Sequence, residues 1–279
     1  MADFAGGIAT RLSNAFLATF VAQFVGLLAA TALLLLAGET APPAAALSLG
    51  LAAGVSGAFG IGCFYLALSR GTMGLVAPLA SLLGAAWPAV LILLTGGGIA
   101  PPGIVGMLAA LGAIVLISLP DRRLGTPIMP TYHGSRTSEW LLIIGAALGF
   151  GGFFLLIDAS HARGGDVWWP LFMVKVGGVS AVVAAALLAR WRGRLPVMRS
   201  GRAAVIIGCI AGIGDLGGNL FFVLASGEGE LATVIVLSSL SPVVTALLAR
   251  AVLHERLGPV RVAGVALAIA GVVLLTLPG

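Results

Sequence analysis

Two stretches of the chain read almost alike: residues 106–120 are GMLAALGAIVLISLP, and residues 264–278 are GVALAIAGVVLLTLP. Each begins with glycine, ends in Leu-Pro and contains no charged residue. Uninterrupted apolar runs of this kind are typical of helices buried in protein or in a bilayer. Because the same run occurs in both halves of the chain, it indicates an internal repeat.

The similarity between the halves continues upstream of these stretches. Residues 86–90 (AWPAV) match 240–244 (LSPVV), residues 64–69 (FYLALS) match 221–226 (FFVLAS), and Gln23 falls opposite Lys175. We therefore expect a first repeat at 1–120, a linker at 121–138 and a second repeat at 139–279.

Composition sets the class of protein. Of the 279 residues, 59% are apolar and only 9% are charged, whereas a soluble domain carries about 25% charged residues. The chain has too little polar surface to be water-soluble, so it is predicted to be an integral membrane protein. No run shows the strict alternation of barrel strands. The predicted fold class is therefore all-α, a polytopic membrane helix bundle.

Nine apolar runs are each long enough to span a bilayer as a helix of about 20 residues. Four belong to the first repeat and five to the second. Because five is an odd number, the two repeats are expected to lie in the membrane with opposite orientations. This is the inverted-repeat architecture of secondary transporters. The predicted spans lie near residues 12–37, 48–69, 74–95, 103–119, 140–158, 167–189, 203–225, 231–252 and 260–277.

The arginines predict the orientation of the chain. When the loops are assigned alternately to two sides, thirteen arginines share the side of Arg11 and only Arg163 lies on the other. Positive loops remain in the cytoplasm. We therefore expect a multi-pass protein of the inner (plasma) membrane, with the Arg-rich loops cytoplasmic and Gly279 periplasmic. The same loops account for the net charge of +5 without a nucleic-acid partner.

Cofactor chemistry finds no support in the sequence. Cys63 and Cys209 lie inside apolar runs and match no zinc or haem spacing. Glycine-rich stretches such as residues 149–152 follow no strand and carry no Lys-Ser/Thr, so they are not phosphate loops. We predict no cofactor and no metal.

The last part of the chain resembles a known family. Residues 237–245 (LSSLSPVVT), 254–257 (HERL) and 264–274 resemble the last two helices of the drug/metabolite transporter (DMT) superfamily, in its ten-helix exporter branch of the EamA type. The Phe-rich ends at 64–69 and 221–226 agree with that family. The resemblance covers essentially the whole chain. It implies a secondary exporter of small organic metabolites or drugs by alternating access, driven by a proton or solute gradient.

Two features depart from that family. Its members have ten helices, whereas here residues 2–7 (ADFAGG) resemble only the second half of the first one. We expect a truncated start, with a nine-helix variant as the alternative. Family members are usually drawn with both ends in the cytoplasm, whereas the arginine distribution predicts Gly279 outside.

Two ionisable residues, Lys175 and Asp215, lie deep in predicted spans, about 12 Å and 16 Å from the outer ends. Such groups usually face a cavity and a partner, because insertion at the bilayer centre costs about 2.5–3.5 kcal/mol. We expect an ion pair, with Asn219 one turn from Asp215 on the same helix face. The pair either lines a polar cavity for a substrate or proton, or joins two helices structurally.

Proline occupies equivalent places in the two repeats, at Trp87-Pro88 and Ser241-Pro242. Proline kinks a span and frees backbone carbonyls, which are tolerated where they line a cavity or meet serine side chains. Trp87 suits the stacking of a planar or apolar substrate. The predicted substrate-binding residues are Tyr65, Trp87, Lys175, Asp215, Asn219, Ser238, Ser239 and Ser241, and the predicted kinks are Pro88 and Pro242.

Glycines spaced four residues apart let helices approach closely. The spacing occurs at Gly50/Gly54, Gly208/Gly212 and Gly214/Gly218. Such pairs either pack helices within a monomer or form the seam of a homodimer, and we expect packing within the monomer. Monomer and homodimer both remain open.

Three classes of function are compatible with a membrane helix bundle: transporter, intramembrane enzyme and structural subunit. A serine protease needs a buried Ser and His, but the histidines, His133, His161 and His254, lie in predicted loops. Prenyl transfer needs clustered aspartates for magnesium, and only Asp215 is deep. A structural subunit explains neither the repeat nor the buried charges. We predict a non-enzyme that transports a small-molecule substrate of open chemical class.

A reporter that is active only in the cytoplasm tests the orientation. Fused after Gly279 it should be silent, and inserted between Arg194 and Arg199 it should be active, because thirteen arginines lie on that side. Strong activity of the Gly279 fusion would reverse the assignment.

Overall fold

The computed structural model describes residues 15–70, 73–96, 101–119, 136–193, 201–240 and 258–276. Within those ranges the chain forms nine helices and no strand, which confirms the all-helical prediction. The helices are α1 (Ala15–Ala37), α2 (Ala44–Arg70), α3 (Met73–Leu94), α4 (Pro101–Ser118), α5 (Arg136–His161), α6 (Trp168–Trp191), α7 (Arg202–Glu228), α8 (Leu231–Ser238) and α9 (Pro259–Thr276).

Several helices have the length and composition of membrane spans. Among the described residues, five apolar segments are long enough to cross a bilayer: Leu17–Ala37, Ala44–Phe64, Trp140–His161, Trp168–Trp191 and Arg202–Glu228. Shorter apolar helices cover Leu79–Leu94, Gly103–Ile117 and Pro259–Leu274. The span predicted at 231–252 is described only to Leu240, and Ser241 and Pro242 lie outside the described residues.

Glycine and proline set several helix ends. Gly38 follows α1 and Gly193 follows α6, each with a φ of 64°. This left-handed conformation ends a helix, and glycine adopts it without steric penalty. Pro101 and Pro259 are the first residues of α4 and α9, where an N–H would have no partner within the helix.

The chain divides into two compact units. Unit 1 comprises Met1–Phe59 and Gly152–Glu228, and unit 2 comprises Gly60–Gly151 and Gly229–Gly279. Each unit takes segments from both predicted repeats. Helices α1, α6 and α7 belong wholly to unit 1, and α3, α4, α8 and α9 belong wholly to unit 2.

Glycines bring the helices of unit 1 into backbone contact. Helix α1 lies against both α6 and α7. A Cβ added to Gly212 would overlap the backbone of Ala22, and one added to Gly54 would overlap the backbone of Val174. The pairs Gly50/Gly54 and Gly208/Gly212 therefore pack helices within one chain, whereas a Cβ on Gly218 would have no neighbour within 4 Å.

The core of unit 2 forms where the two repeated stretches of sequence meet. Helices α4 and α9 pack closely: a Cβ on Gly271 would lie 2.8 Å from the backbone nitrogen of Ala110 and 2.9 Å from the carbonyl oxygen of Gly106. Small and aliphatic side chains fill the surrounding cluster. Its buried members are Ala89, Met107, Ala110, Ala113, Ile114, Ile117, Ala232, Val236, Leu240 and Ala268.

Alanine substitution at two glycines of α7 tests the packing of unit 1. Gly212→Ala should destabilise the protein by about 1–3 kcal/mol, because the backbone of Ala22 cannot move aside cheaply. Gly217→Ala is the matched control, since a Cβ there has open space, and helix propensity favours alanine by up to about 1 kcal/mol. The measurement is the melting temperature in detergent. Equal melting temperatures for the two variants would contradict the close contact of α1 with α7.

Candidate functional site

An ion pair lies at the centre of unit 1. Lys175, the eighth of 24 residues in α6, donates from Nζ to Oδ2 of Asp215, the fourteenth of 27 in α7. The lysine side chain is 0% exposed, whereas that of the aspartate is 34% exposed. The ion pair predicted from the sequence is therefore present. One partner is sealed in protein and the other is partly open.

The lysine side chain reaches α7 by crossing α1 at a glycine. A Cβ on Gly26 would lie 3.1 Å from Cε and 3.2 Å from Cδ of Lys175, and 3.5 Å from the carbonyl oxygen of Gly212. The aliphatic stem of Lys175 thus lies over bare backbone of α1. Gly26 was not among the residues predicted from the sequence. The signal that could have found it is its position three residues after Gln23, which the repeat aligns with Lys175.

Gln23 is a second buried polar side chain beside α6. It is 7% exposed and lies one turn before Gly26 on α1. A Cβ on Gly178 would lie 2.8 Å from its Oε1 and 3.0 Å from its Cδ. Among the described residues, this Oε1 has no hydrogen-bond partner. A buried acceptor left in that state costs about 1–3 kcal/mol, so it requires an explanation.

The contacts between α1 and α6 are reciprocal. Lys175 of α6 lies over Gly26 of α1, and Gln23 of α1 lies over Gly178 of α6. On both helices the polar residue precedes the glycine by three positions. Contacts of this form, in which each partner presents the same pair of positions to the other, are those of a two-fold interface.

The same correspondence extends to the helices on either side. Residues of α1 and α6 match at one constant offset, from Ala18 with Pro170 to Gly26 with Gly178. In the neighbouring helices, Gly50 and Gly54 of α2 match Gly208 and Gly212 of α7. Gly50 lies against Met173 and Pro170, and its counterpart Gly208 lies against Val21 and Ala18. Likewise, Gly54 lies against Val174, and its counterpart Gly212 lies against Ala22.

A carboxylate from a distant loop fixes the start of α6. Oε1 of Glu39 accepts hydrogen bonds from the backbone N–H groups of Val167 (3.2 Å) and Trp168 (3.1 Å), and Oε2 accepts from Trp168 (3.0 Å) and Trp169 (3.2 Å). The indole of Trp169 donates in turn to the carbonyl oxygen of Glu39, at 3.2 Å. The acid thus satisfies the free amides and the positive dipole end of the helix that carries Lys175.

The predicted tryptophan lies in unit 2. Trp87 of α3 is half-buried, and its Nε1 donates to the carbonyl oxygen of Ala147 at 3.0 Å. A Cβ on Gly151 would collide with the indole ring, so this glycine makes room for Trp87. Pro88 is fully buried within the span of α3.

The remaining predicted residues are divided between the units. Asn219 lies in unit 1, one turn after Asp215 on α7. Ser238 and Ser239 belong to unit 2. Ser238 is exposed, whereas Ser239 is buried and donates to the carbonyl oxygen of Ile235 at 2.9 Å. Tyr65 is a residue of α2 whose side chain lies outside the described part of the chain.

One histidine lies in a helix and not in the predicted loop. His161 is the last residue of α5, because the helix continues until the turn at Gly164, where φ is 87°. Its Nδ1 lies 2.9 Å from the carbonyl oxygen of Gly165 and 2.8 Å from that of Asp166. Carbonyl oxygens only accept, so Nδ1 carries the proton. The described ranges hold no group of three His, Cys, Asp or Glu residues able to bind a metal.

Removal of the Glu39 carboxylate tests the start of α6. Glu39→Ala should lower stability by about 0.5–2 kcal/mol, because the free amides of the helix lose their acceptor. Glu228→Ala is the matched control, since Glu228 is exposed at the end of α7. Melting temperatures in detergent give the readout. A Glu39→Ala variant as stable as the Glu228→Ala variant would refute the capping role.

Known proteins share both sequence and fold with this chain. A model of the EamA-like transporter family matches residues 137–277. One solved structure, described only as the crystal structure of a protein, is 18% identical and aligns over 99% of this chain and 93% of its own, with a TM-score of 0.73. That likeness concerns the fold alone. No curated protein matches the chain. Because the family match covers half of the chain, the protein belongs to the EamA-like transporter family, a family of membrane transporters in the DMT superfamily.

Proposed function

We propose that the protein is a secondary active transporter that exports a small organic solute by alternating access. Family membership supports transport, and the resemblance to the exporter branch supports the direction. The observation that carries the proposal is the Lys175–Asp215 pair. It joins two helices long enough to cross a membrane and combines a fully buried cation with a partly open carboxylate.

The unequal burial of the two partners suits a binding site. Asp215 is about one-third exposed, and we propose that a solute cation or a proton reaches its carboxylate from the exposed side. A group that binds there competes with Lys175. Because a buried charge without its partner costs about 3–5 kcal/mol, occupancy of Asp215 forces the packing around Lys175 to change. The pair thereby couples binding to conformation.

Two sets of contacts support an inverted repeat as the framework of the transport cycle. In unit 1, α1 and α6 exchange equivalent contacts through Gln23, Gly26, Lys175 and Gly178. In unit 2, the repeated stretches in α4 and α9 pack on each other. Inverted repeats of this kind allow two related packings that open to opposite sides of the membrane.

The other candidate residues complete the proposal. Trp87 would contact a planar or apolar solute through its ring, because its N–H is held by Ala147. Pro88 and Pro242 would kink their spans. We propose an inner-membrane location with cytoplasmic Arg-rich loops, which the distribution of arginines supports. The further proposed substrate contacts are Tyr65, Asn219, Ser238, Ser239 and Ser241.

Transport into proteoliposomes tests the function directly. The purified chain should carry at least one member of a panel that contains an amino acid, a nucleobase, a sugar and a cationic dye. A pH gradient should accelerate that transport if Asp215 binds the coupling proton. Empty liposomes are the control. Failure to transport any of the four classes, with or without a gradient, would contradict the proposal.

Substitutions in the pair separate a functional site from a structural one. Asp215→Asn should abolish gradient-driven transport and leave exchange of the same solute partly intact, because the amide cannot take up a proton. Lys175→Met keeps the length of the side chain and should slow both net transport and exchange by about tenfold or more. Ser180→Ala is the matched control, since Ser180 is an exposed residue of the same helix. Parent-like transport by both pair variants would make the ion pair a structural link only.

A further inference from the structure

We propose that Gln23 is the alternative acceptor for the ammonium group of Lys175. When Asp215 binds a solute cation or a proton, Nζ of Lys175 moves from the carboxylate to Oε1 of Gln23. This inference rests on the proposed function, because only a transport cycle requires Asp215 to release the lysine. Gln23 is thus a positioning residue that acts through Lys175.

In the described part of the chain, the amide of Gln23 has an unpaired oxygen. Oε1 of Gln23 has no partner among the described residues, although the side chain is only 7% exposed. Buried polar atoms in folded proteins are nearly always hydrogen-bonded. Oε1 can remain unpaired in this conformation of the protein if a donor binds it in another conformation.

The lysine side chain lies close to Gln23 on α1. The stem of Lys175 lies over Gly26, and Gln23 is one turn from Gly26 on the same helix. Side chains three residues apart on a helix have neighbouring positions, about 5–6 Å between their Cβ atoms. The lysine side chain has a flexible stem of four carbons. Rotation about the bonds of this stem moves Nζ along α1 from the level of Asp215 toward Gln23.

No other acid described in unit 1 is placed in the middle of a helix as Asp215 is. Other described acids of unit 1 lie at helix ends or in loops: Glu39 binds the start of α6, Asp158 is in the last turn of α5, Asp166 is in a loop and Glu228 ends α7. Release by Asp215 would leave the fully buried ammonium without an anion, and Gln23 is a buried polar side chain in the same contact between α1 and α6.

The repeat explains why Gln23 is unpaired. The match of Gly54 with Gly212 makes Gly57 the counterpart of Asp215, and the match of residues 64–69 with 221–226 makes it Ala58. The first repeat therefore has a polar residue at the position of Lys175 and no carboxylate to bind it. Neither Gly57 nor Ala58 carries a carboxylate, and Cδ2 of Phe153 lies 3.2 Å from where a Cβ on Gly57 would be. This asymmetry leaves Gln23 unpaired and available to the lysine.

A double-mutant cycle on the full-length protein in detergent, without added solute, tests the proposal. Gln23→Met removes the acceptor at similar size and should leave the melting temperature unchanged or raise it, because Oε1 is unpaired in this state. Asp215→Ala should lower the melting temperature. The loss should be at least twofold greater when Gln23→Met is also present, because Lys175 then has neither acceptor.

Two controls make the cycle specific. In the first control, the cycle is repeated with Thr31→Val in place of Gln23→Met. Thr31 suits this purpose because its hydroxyl already donates to the carbonyl oxygen of Leu27 within α1 (2.7 Å). The loss caused by Asp215→Ala should be the same in that background as in the parent chain. If the variant lacking both acceptors does not accumulate, adding Lys175→Met should restore it by removing the stranded charge.

Additive losses in the cycle would overturn the proposal. So would a Gln23→Met variant that alone loses as much stability as Asp215→Ala, since Oε1 would then already hold a partner. A double variant that Lys175→Met fails to restore would also overturn it. Because the cycle is read from melting temperatures, its failure is distinct from an absence of transport by the parent chain, which would contradict the proposed function instead.

Discussion

The arrangement of unit 1 depends on one constraint: a lysine ammonium lies where no water reaches it. A buried cation without a partner destabilises a protein by about 3–5 kcal/mol, and inside a bilayer the surrounding lipid offers no substitute. Lys175 meets this requirement through Asp215 on α7, although α1 lies between α6 and α7 along part of their length. The positions of three helices are therefore linked through a single pair of charges.

Glycine makes that link possible. A Cβ at residue 26 would crowd the side chain of Lys175, and a Cβ at residue 212 would overlap the backbone of Ala22, so the two glycines favour these close contacts. Where a soluble protein would use the hydrophobic effect to join helices, a membrane protein relies on close packing and polar contacts. The glycine pairs therefore set the distance between helices, and the ion pair determines which packing is favoured. A change in the partner of Lys175 is consequently a change in the packing of unit 1.

Sequence reasoning predicted the helical class, the family and the ion pair, for identifiable physical reasons. Apolar runs with few charges have a single stable form in a bilayer, which is the helix. Lys175 and Asp215 stood out because charges are rare at that depth, and their similar depths predicted the pair. Gln23 was noticed only as the repeat counterpart of Lys175, because an uncharged amide in an apolar run gives no signal of its own. Gly26 and Glu39 were missed, since their roles depend on which helices become neighbours. The end of α5 was placed too early, because the polar residues 158–161 read as a loop and the turn at Gly164 comes later.

The chain contains one lysine, so isotope labelling of lysine reports on the centre of the site alone. The most direct test of the account is the nitrogen NMR signal of the Lys175 ammonium in protein labelled with ε-15N-lysine, recorded with and without a solute that the protein transports. We expect a signal that is protected from exchange with water, shifts when the solute is added and is altered by Asp215→Asn. A signal that exchanges freely with water, or that is the same with and without the transported solute, would contradict the claim that Lys175 is the centre of the transport site.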